Sequence, residues 1–518
     1  MKRTTLGTLG TSPPEAEQPL AENLRHFLQS LLILISIFYI GLYLWIALHR
    51  IGYPFELEWM EGAMVDECRQ LIGGNPLYRP PGLDYVPFIY PPGYFVISAL
   101  SMRLFGVGFF APRLVSILAS CGIMLVLFSI VKRETGSFTA GIVSAGFFAG
   151  SYEATGAWMD IARIDSLFIF WVVLGIYCAG RGKGRWGSFI TALTFSFAFH
   201  TKQLALLPAF AVGFYYLLIN RRQFLIYIGI LFLGTGIGFL LLNIYYKNWY
   251  WFYLVEMPAS HEVIKKQMID FWTRDIFRVF PIAFAGVIYF WVVTGRDFLR
   301  SRGNPRHLLY LLLSFSLIII SWIGRGNLNS YDNTLIPGVL AFSLILGIEA
   351  GVIWKKRLYS PVISLGISLL ILIQFIMLFY LPGKQVPRAS DRQAGQRFIN
   401  YLERTPGDVF VPYHGFLPFL ADKQTSAHWV AILEVILAGE RSQSDWAHDL
   451  LNQLKNAIQT HKYDVIILDR DDWFSGLIEG SYQKNNILFP ENNIFFPVTG
   501  YRTRPQYIYQ RIISENKL

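Results

Sequence analysis

The sequence predicts a mainly α-helical, polytopic membrane protein that carries a separate α/β domain at its carboxyl end. Of its 518 residues, 53% are hydrophobic and only 15% are charged, which is too apolar a composition for a soluble domain. About eleven apolar runs approach or reach the length that a membrane-spanning helix needs. Residues 382–518 contain no such run and are polar, which indicates a domain outside the bilayer.

The predicted spans follow one another with short connections. They cover residues 27–48, 113–131, 138–157, 165–180, 186–200, 203–219, 224–245, 276–294, 307–323, 334–353 and 359–381. The stretch 186–219 is short enough to form a tight helical hairpin instead of two full spans. The first run is too long for the apolar core of a signal peptide, so we expect an uncleaved first helix after a tail of residues 1–26.

Basic residues orient these helices. The net charge of +10 does not indicate nucleic-acid binding, because its basic residues lie in short loops between apolar runs, as the positive-inside rule expects. With eleven spans and a cytoplasmic amino terminus, the most basic short loops all face the cytoplasm. These loops contain Lys132 and Arg133, Arg181 to Arg185, Arg221 and Arg222, Arg296 to Arg306, and Lys355 to Arg357.

This parity requires that residues 92–105 do not span. They are too short, carry Arg103 and follow Pro91-Pro92, so we expect a helix lying on the outer surface. The membrane domain then covers residues 27–381, with a long first external loop at 49–112. The external domain, 382–518, is predicted to contain strands near 408–412 and 463–469 and helices near 390–404 and 444–460.

Two acidic clusters fall in loops on the predicted outer side. The first spans Glu56 to Gly62 and contains Glu58 and Glu61, at the start of a predicted helix that runs from Glu61 to Leu71. Spacing of three places both carboxylates on one helix face, where either could act as a general base. The alternative is a solvated helix start, at which acids favour the helix dipole.

The second cluster contains Asp160, Arg163 and Asp165 at a helix entrance. Asp165 could cap that helix, and Arg163 could pair with a carboxylate or bind a phosphate through two hydrogen bonds. Carboxylates beside a bilayer are costly unless they are paired, hydrated or coordinated, so two such clusters on one side make a site plausible.

Further polar residues lie in the predicted outer loops. Lys202 could hold a lipid phosphate or only snorkel, and His261 could contact lipid headgroups. A polar loop that suits sugar or phosphate recognition, but also an ordinary loop, contains Arg325, Asn329, Tyr331 and Asp332. The sequence has no Walker, dinucleotide or nucleophile-elbow motif and no zinc spacing among its three cysteines, so nucleotide-driven chemistry gains no support.

The order of these motifs resembles the GT-C membrane glycosyltransferases, in the family of protein O-mannosyltransferases and aminoarabinose transferases. The resemblance covers residues 30–220 well and fades through 221–381. Its motifs are Glu58-Trp59-Met60-Glu61-Gly62, Tyr90-Pro91-Pro92-Gly93-Tyr94, Leu104-Phe105-Gly106, Arg113-Leu114-Val115-Ser116, Ala162-Arg163-Ile164-Asp165 and Thr201-Lys202-Gln203.

The resemblance implies a polyprenyl-phosphate sugar as donor and a first-loop acid as catalytic base, usually with inversion at the anomeric carbon. Many members have Asp-Glu where this chain has Met60-Glu61, so the base remains open between Glu58 and Glu61. Asp165 is expected among the catalytic residues, where it would orient the site or help to hold a metal ion if there is one. Binding of the substrate, including its phosphate, is assigned to Arg163, Asp160, Lys202, Tyr90, His261, Arg325, Asn329, Tyr331 and Asp332.

The leading hypothesis is therefore an integral glycosyltransferase of a bacterial inner or plasma membrane, with an extracytoplasmic lipid, glycan or protein as acceptor. Membrane lipids are expected partners. Carboxylates alone are compatible with either a divalent metal ion or none. A transporter or flippase would place its charges near mid-membrane depth. A receptor or assembly protein would place its function in residues 382–518.

Overall fold

The computed structural model describes residues 17–182, 184–328, 330–355, 360–442, 445–471 and 473–512. The first part of the chain is helical. Its helices are α1 (Glu17–Ile51), α2 (Glu61–Ile72), α3 (Gly93–Phe105), α4 (Phe110–Thr135), α5 (Phe138–Gly150), α6 (Asp165–Arg181), α7 (Gly184–Phe199), α8 (Leu206–Ile219), α9 (Arg221–Leu231), α10 (Gly238–Tyr245), α11 (Trp249–Trp251), α12 (Met257–Ala259), α13 (Lys265–Asp270), α14 (Pro281–Leu299), α15 (Pro305–Arg325), α16 (Ile336–Lys355) and α17 (Pro361–Met377).

All eleven apolar runs predicted from the sequence are helical. Seven helices among the described residues are long and apolar enough to cross a membrane. Of the predicted runs, the four between residues 138 and 219 form the shorter helices α5 to α8. The expected fold class, a multi-pass α-helical membrane protein with a small α/β domain, is confirmed.

The centre of the membrane part is α16. In its most apolar stretch 83% of the residues are buried, whereas the stretch from α9 to α10 has 17% buried and lies at the periphery. Helices α4, α5, α14 and α15 pack around α16, and α1 packs on α5 and α17. The apolar side chains of α9 and α10 therefore remain for lipid, as a polytopic fold requires.

Helix boundaries follow local sequence signals. The side chains of Ser137, Asn220, Asn304 and Ser360 each accept a hydrogen bond from a backbone N–H of the helix that follows. Proline occupies the first helical position of α15 and α17, where its missing N–H costs nothing.

Two short helices lie in the loop after α1. Helix α2 begins at Glu61, as predicted, and α3 follows Pro92. The N–H of Gly93 donates to the carbonyl oxygen of His200 at 2.6 Å, and a Cβ at residue 93 would collide with that oxygen. The Pro91-Pro92-Gly93 turn therefore fixes the first loop against the segment that carries Lys202.

The C-terminal domain contains one four-stranded sheet with helices. Its elements are α18 (Ala389–Arg404), β1 (Val409–Phe410), α19 (Trp429–Ser442), α20 (Asp445–Gln459), β2 (Val465–Leu468), α21 (Trp473–Ile478), β3 (Tyr482–Ile487) and β4 (Tyr507–Arg511). The strand order is β1-β2-β4-β3, with β1 and β2 parallel and the other pairs antiparallel. The two predicted strands are β1 and β2.

This domain is joined to the first loop by backbone hydrogen bonds. The N–H of Thr499 donates to Leu57 at 3.1 Å, and Thr499 forms an isolated parallel bridge with Glu58. The N–H of Ala427 donates to Leu83 at 2.9 Å. Because Leu57 and Glu58 belong to the first acidic cluster, the contacts of Thr499 show that the C-terminal domain helps to position that cluster.

Candidate functional site

A cavity of about 230 Å³ lies between the loops of the membrane part and the C-terminal domain. We call it the central cavity. Its walls come from segments that are far apart in the sequence, and they include Glu58, Tyr90, Arg163, Lys202, Tyr331 and Tyr501. Both predicted acidic clusters therefore contribute side chains to one enclosed space.

Of the acids in the two predicted clusters, Glu58 is the one that lines this cavity. Its Oε2 accepts from the N–H of Met60 at 3.2 Å and from Arg163 Nη1 at 3.4 Å, while its buried Oε1 accepts no hydrogen bond from any described residue. Burial raises the pKa of Glu58 to about 8, and the charge of Arg163 only partly opposes this. A carboxylate with a free oxygen and a pKa near neutrality suits proton abstraction.

Glu61 has a different environment. Arg113 binds it through two hydrogen bonds of 2.7 Å, and the backbone N–H groups of Leu57 and Ala162 donate to it at 2.8 and 2.7 Å. Burial alone would raise the pKa of Glu61, but Arg113 and these donors lower it. All four bonds go to the protein, and Glu61 does not line the central cavity. Its geometry is that of an anchor for the first loop.

The expectation that Glu58 and Glu61 share a helix face is wrong. Helix α2 begins at Glu61 with Met60 as its N-cap, so Glu58 precedes the helix. At Glu58 the backbone is instead extended beside Thr499. The two carboxylates therefore lie in different environments, and of the two only Glu58 lines the central cavity.

Basic side chains lie opposite Glu58. Arg163 also approaches the Tyr90 hydroxyl at 3.4 Å and lies 5.3 Å from the ring of Trp158. Lys202 Nζ donates to Asp165 at 2.7 Å, and Asn333 donates to the other oxygen of Asp165 at 3.2 Å. The central cavity thus combines one carboxylate with a free oxygen and two cations, an arrangement that can accept a proton and stabilise a phosphate.

The far wall joins the two parts of the chain. His261 Nε2 lies 3.5 Å from Glu434 of α19, and both residues line the central cavity. Tyr331 packs on Trp158 with ring centroids 5.2 Å apart. His261 and Tyr331 were both expected at the site, and the structure places both at the central cavity.

One family model matches part of the chain. Residues 90–251 match the dolichyl-phosphate-mannose-protein mannosyltransferase family. This range contains Tyr90, Asp165 and Lys202, whereas the first acidic cluster lies before it. No curated protein sequence matches the chain.

Solved structures match almost the whole chain. ArnT from Cupriavidus metallidurans, bound to undecaprenyl phosphate, has a TM-score of 0.58 at 11% identity, over 92% of this chain and 98% of that one. Its apo form has a TM-score of 0.57 at 12% identity, over 92% and 97%. The oligosaccharyltransferase AglB from Archaeoglobus fulgidus reaches 0.49 at 11% identity, over 85% and 69%, which is too weak to support an argument.

The chain has the GT-C fold. The resemblance seen in the motifs after α1 is therefore confirmed at the level of the fold, and the structural likeness also extends into residues 382–518, for which the motifs showed no specific match. At 11% identity the likeness establishes the fold, and the function has to be argued from the site.

Five of the expected site residues that the structure describes lie outside the lining of the central cavity, namely Glu61, Asp165, Asp160, Arg325 and Asp332. Asp160 forms a buried pair with Arg50 at 3.3 Å and accepts from Tyr152 at 2.9 Å. Arg325 is held by Asp275 at 2.8 Å and by Asp332 at 3.1 Å. These pairs stabilise the loops around the central cavity. Asn329 lies outside the described residues.

Sequence reasoning missed the contribution of the C-terminal domain. His414 lies between Glu56, to which its Nδ1 is hydrogen bonded, and Asp469, 3.0 Å from its Nε2. Burial alone would lower the pKa of His414, but the two carboxylates raise it to about 10. His428 also contacts the first loop, 3.2 Å from the carbonyl oxygen of Trp59. No sequence spacing signals the contacts of His414 with Glu56 and of His428 with Trp59, because each joins residues more than 350 positions apart.

The described side chains contain no group of three or more His, Cys, Asp or Glu residues that could hold a metal ion. Glu58 and Asp165 instead each face a basic side chain, Arg163 and Lys202 respectively. The sequence left metal binding open, and the described part of the site offers no candidate ligand set for it.

Proposed function

We propose that this chain is an integral membrane glycosyltransferase that moves a sugar from a polyprenyl-phosphate donor to an extracytoplasmic acceptor, with Glu58 as the general base. The observation that carries this proposal is the geometry of Glu58 in the central cavity, where one of its oxygens accepts no hydrogen bond from any described residue and the other faces Arg163. The undecaprenyl phosphate bound to ArnT supports a lipid-phosphate donor for this fold.

Glu58 acts on the acceptor. As the acceptor oxygen or nitrogen attacks the anomeric carbon, its proton passes to Glu58, and the bond from that carbon to the phosphate oxygen breaks. The electron pair of that bond leaves with the polyprenyl phosphate. A single displacement of this kind inverts the anomeric configuration.

Arg163 and Lys202 act on the leaving phosphate. Negative charge grows on the phosphate as the bond to the sugar breaks, and cations held in an enclosed site stabilise that charge strongly. Asp165 and Asn333 fix the position of Lys202, while Trp158 supports the guanidinium of Arg163. In this proposal Asp165 is a positioning residue.

The arrangement of charges also supports an extracytoplasmic site. The helix ends opposite the central cavity carry the basic residues, including Arg133 and Arg306, which are joined through Glu134 at 3.0 Å each. By the positive-inside rule that end faces the cytoplasm, so the central cavity and the C-terminal domain face the other side. A lipid-linked donor reaches such a site from the outer leaflet.

The described site does not favour a flippase. Glu58 precedes α2 and Asp165 begins α6, so both acids lie at helix ends and not within broken helices at mid-membrane depth.

Reconstituted vesicles test the proposal. The protein is supplied with a panel of undecaprenyl-phosphate sugars and outer-leaflet acceptors, and release of undecaprenyl phosphate is measured. We expect Glu58→Gln to lower the transfer rate by about 100-fold or more, because it removes the base. Glu153→Gln, an exposed glutamate of another loop on the cavity side, serves as the matched control. Full activity of Glu58→Gln would exclude Glu58 as the base.

A further inference from the structure

A second pocket, of about 280 Å³, lies in the C-terminal domain beside the central cavity. We call it the arginine pocket. Its lining includes Asp469, Arg470, Tyr501, Arg502, Thr503, Arg504 and Gln506. Tyr501 lines both cavities, and its ring packs on the ring of Trp59 with centroids 5.4 Å apart. Because Trp59 follows Glu58 in the chain, the arginine pocket adjoins the loop that carries Glu58.

The arginine pocket has an excess of positive charge. It contains three guanidinium groups and one carboxylate, Asp469, and that carboxylate already faces His414. Arg504 is structural, because it donates to the carbonyl oxygens of Glu491 and Ile494 at 2.7 and 3.0 Å. Arg470 and Arg502 are exposed; Arg502 donates to Asn493 Oδ1 at 2.7 Å, and the solvent-facing sides of both guanidinium groups can meet a ligand.

The wall also contains polar atoms that the described residues leave unsatisfied. Thr503 Oγ1, Gln506 Oε1 and Asp469 Oδ1 are buried and form no hydrogen bond with any described residue. A buried polar atom without a partner is costly, and such atoms in native proteins usually mark a site for water, an ion or a ligand. The oxygens of Gln506 and Asp469 can only accept hydrogen bonds, so they require a ligand that donates, as hydroxyl groups do.

Aromatic rings complete the surface. Arg502 lies over the ring of Phe496 at 4.4 Å and Lys484 over the ring of Tyr507 at 3.4 Å, so these two rings support basic side chains. Tyr501 is 60% exposed and lines the same space, and its ring beside hydrogen-bonding groups suits the apolar face of a sugar ring. The volume is at the lower end for small-molecule sites, which fits one sugar-sized group.

We propose that the arginine pocket binds an acidic saccharide unit, a sugar that carries a carboxylate or phosphate, as the anchoring part of the acceptor. Arg470 and Arg502 bind the acidic group, and the unsatisfied oxygens accept from the hydroxyls. The neighbouring unit then passes Tyr501 and reaches Glu58. This inference rests on the proposed glycosyl transfer for the role of the ligand, although binding itself is independent of it.

Saturation-transfer NMR on the full-length protein in detergent tests this site, with glucuronate as the probe. We expect wild-type protein to bind glucuronate and Arg502→Gln and Arg470→Gln each to raise its Kd about tenfold or more, since each removes a charge-assisted hydrogen bond. Arg404→Gln, an exposed arginine elsewhere in the domain, should bind as wild type does.

Other probes separate the alternatives. Equal binding of neutral glucose or of inorganic phosphate alone would overturn the acidic-saccharide assignment, and so would equal binding of glucuronate by Arg502→Gln. Preference for a tri-aspartate peptide would indicate a protein acceptor and also overturn it. Glu58→Gln should still bind glucuronate. If the wild-type protein releases no undecaprenyl phosphate from any donor of the panel, the proposed function is contradicted. Binding of glucuronate by the arginine pocket can still be observed in that case.

Discussion

The two glutamates that follow the first helix differ in how many of their oxygens the protein itself satisfies. Glu61 receives four hydrogen bonds of 2.7–2.8 Å and a buried arginine. Glu58 receives two longer ones and keeps one oxygen free of protein donors. The difference separates Glu61, whose charge is fully compensated by the protein, from Glu58, whose charge is only partly compensated and which we propose as the base.

The largest expected effect is on folding stability. Glu61→Gln leaves Arg113 buried without its counter-ion, and breaking such a pair typically costs about 3–5 kcal/mol. Glu58→Gln resembles the protonated acid that burial already favours, so we expect a stability change below about 1 kcal/mol. Thermal unfolding of the two variants in the same detergent measures this contrast.

Two outcomes would contradict the roles assigned to Glu58 and Glu61. If Glu58→Gln unfolds as early as Glu61→Gln, both acids are structural and the base lies elsewhere. If Glu61→Gln is as stable as wild type, Arg113 finds another partner and the anchor role is wrong.

An intermediate effect is expected on donor binding. Lys202→Gln removes a cation from the central cavity, and a charge-assisted hydrogen bond contributes about 1.5–3 kcal/mol, or about 10- to 100-fold in Kd. Titration of undecaprenyl phosphate into protein in nanodiscs measures the change. Lys247→Gln, an exposed lysine outside the cavity, is the control. Unchanged affinity in Lys202→Gln would mean that the phosphate does not reach Lys202.

The smallest effect concerns pH. The base must be deprotonated, and the pKa of Glu58 is raised to about 8, so the transfer rate should increase with pH and level off above about pH 8. Arg163 lowers the pKa of Glu58, so Arg163→Gln should shift the rise in transfer rate to higher pH. The same substitution should also weaken binding of the donor. A pH–rate profile at low acceptor concentration checks the direction, and a profile that is flat from pH 6 to 9 would argue against Glu58.

Much of the fold was predictable because hydrophobicity is local. All eleven apolar runs became helices, and residues 93–105 form the helix α3 that Pro92 precedes, as expected; its position on the outer surface stays a prediction. The α2 helix and strands β1 and β2 were found for the same reason. The last strands, β3 and β4, were missed because β3 is mostly exposed and polar.

The site was only half predictable. Motif order identified the residues that meet at the cavity, including Tyr90, Arg163 and Lys202. It gave no means to separate Glu58 from Glu61, because their difference comes from Arg113 and Thr499, which the fold brings in from other segments. The same holds for His414, whose two carboxylate partners lie on different parts of the chain.

The bridge between Glu58 and Thr499 has a consequence for biosynthesis. Thr499 and Tyr501 are translated more than 400 residues after Glu58. The backbone around the proposed base therefore reaches its final environment only after those residues have been made. A nascent chain whose first helices already cross the bilayer would not yet hold Glu58 in place for the proposed transfer until the segment around Thr499 has docked.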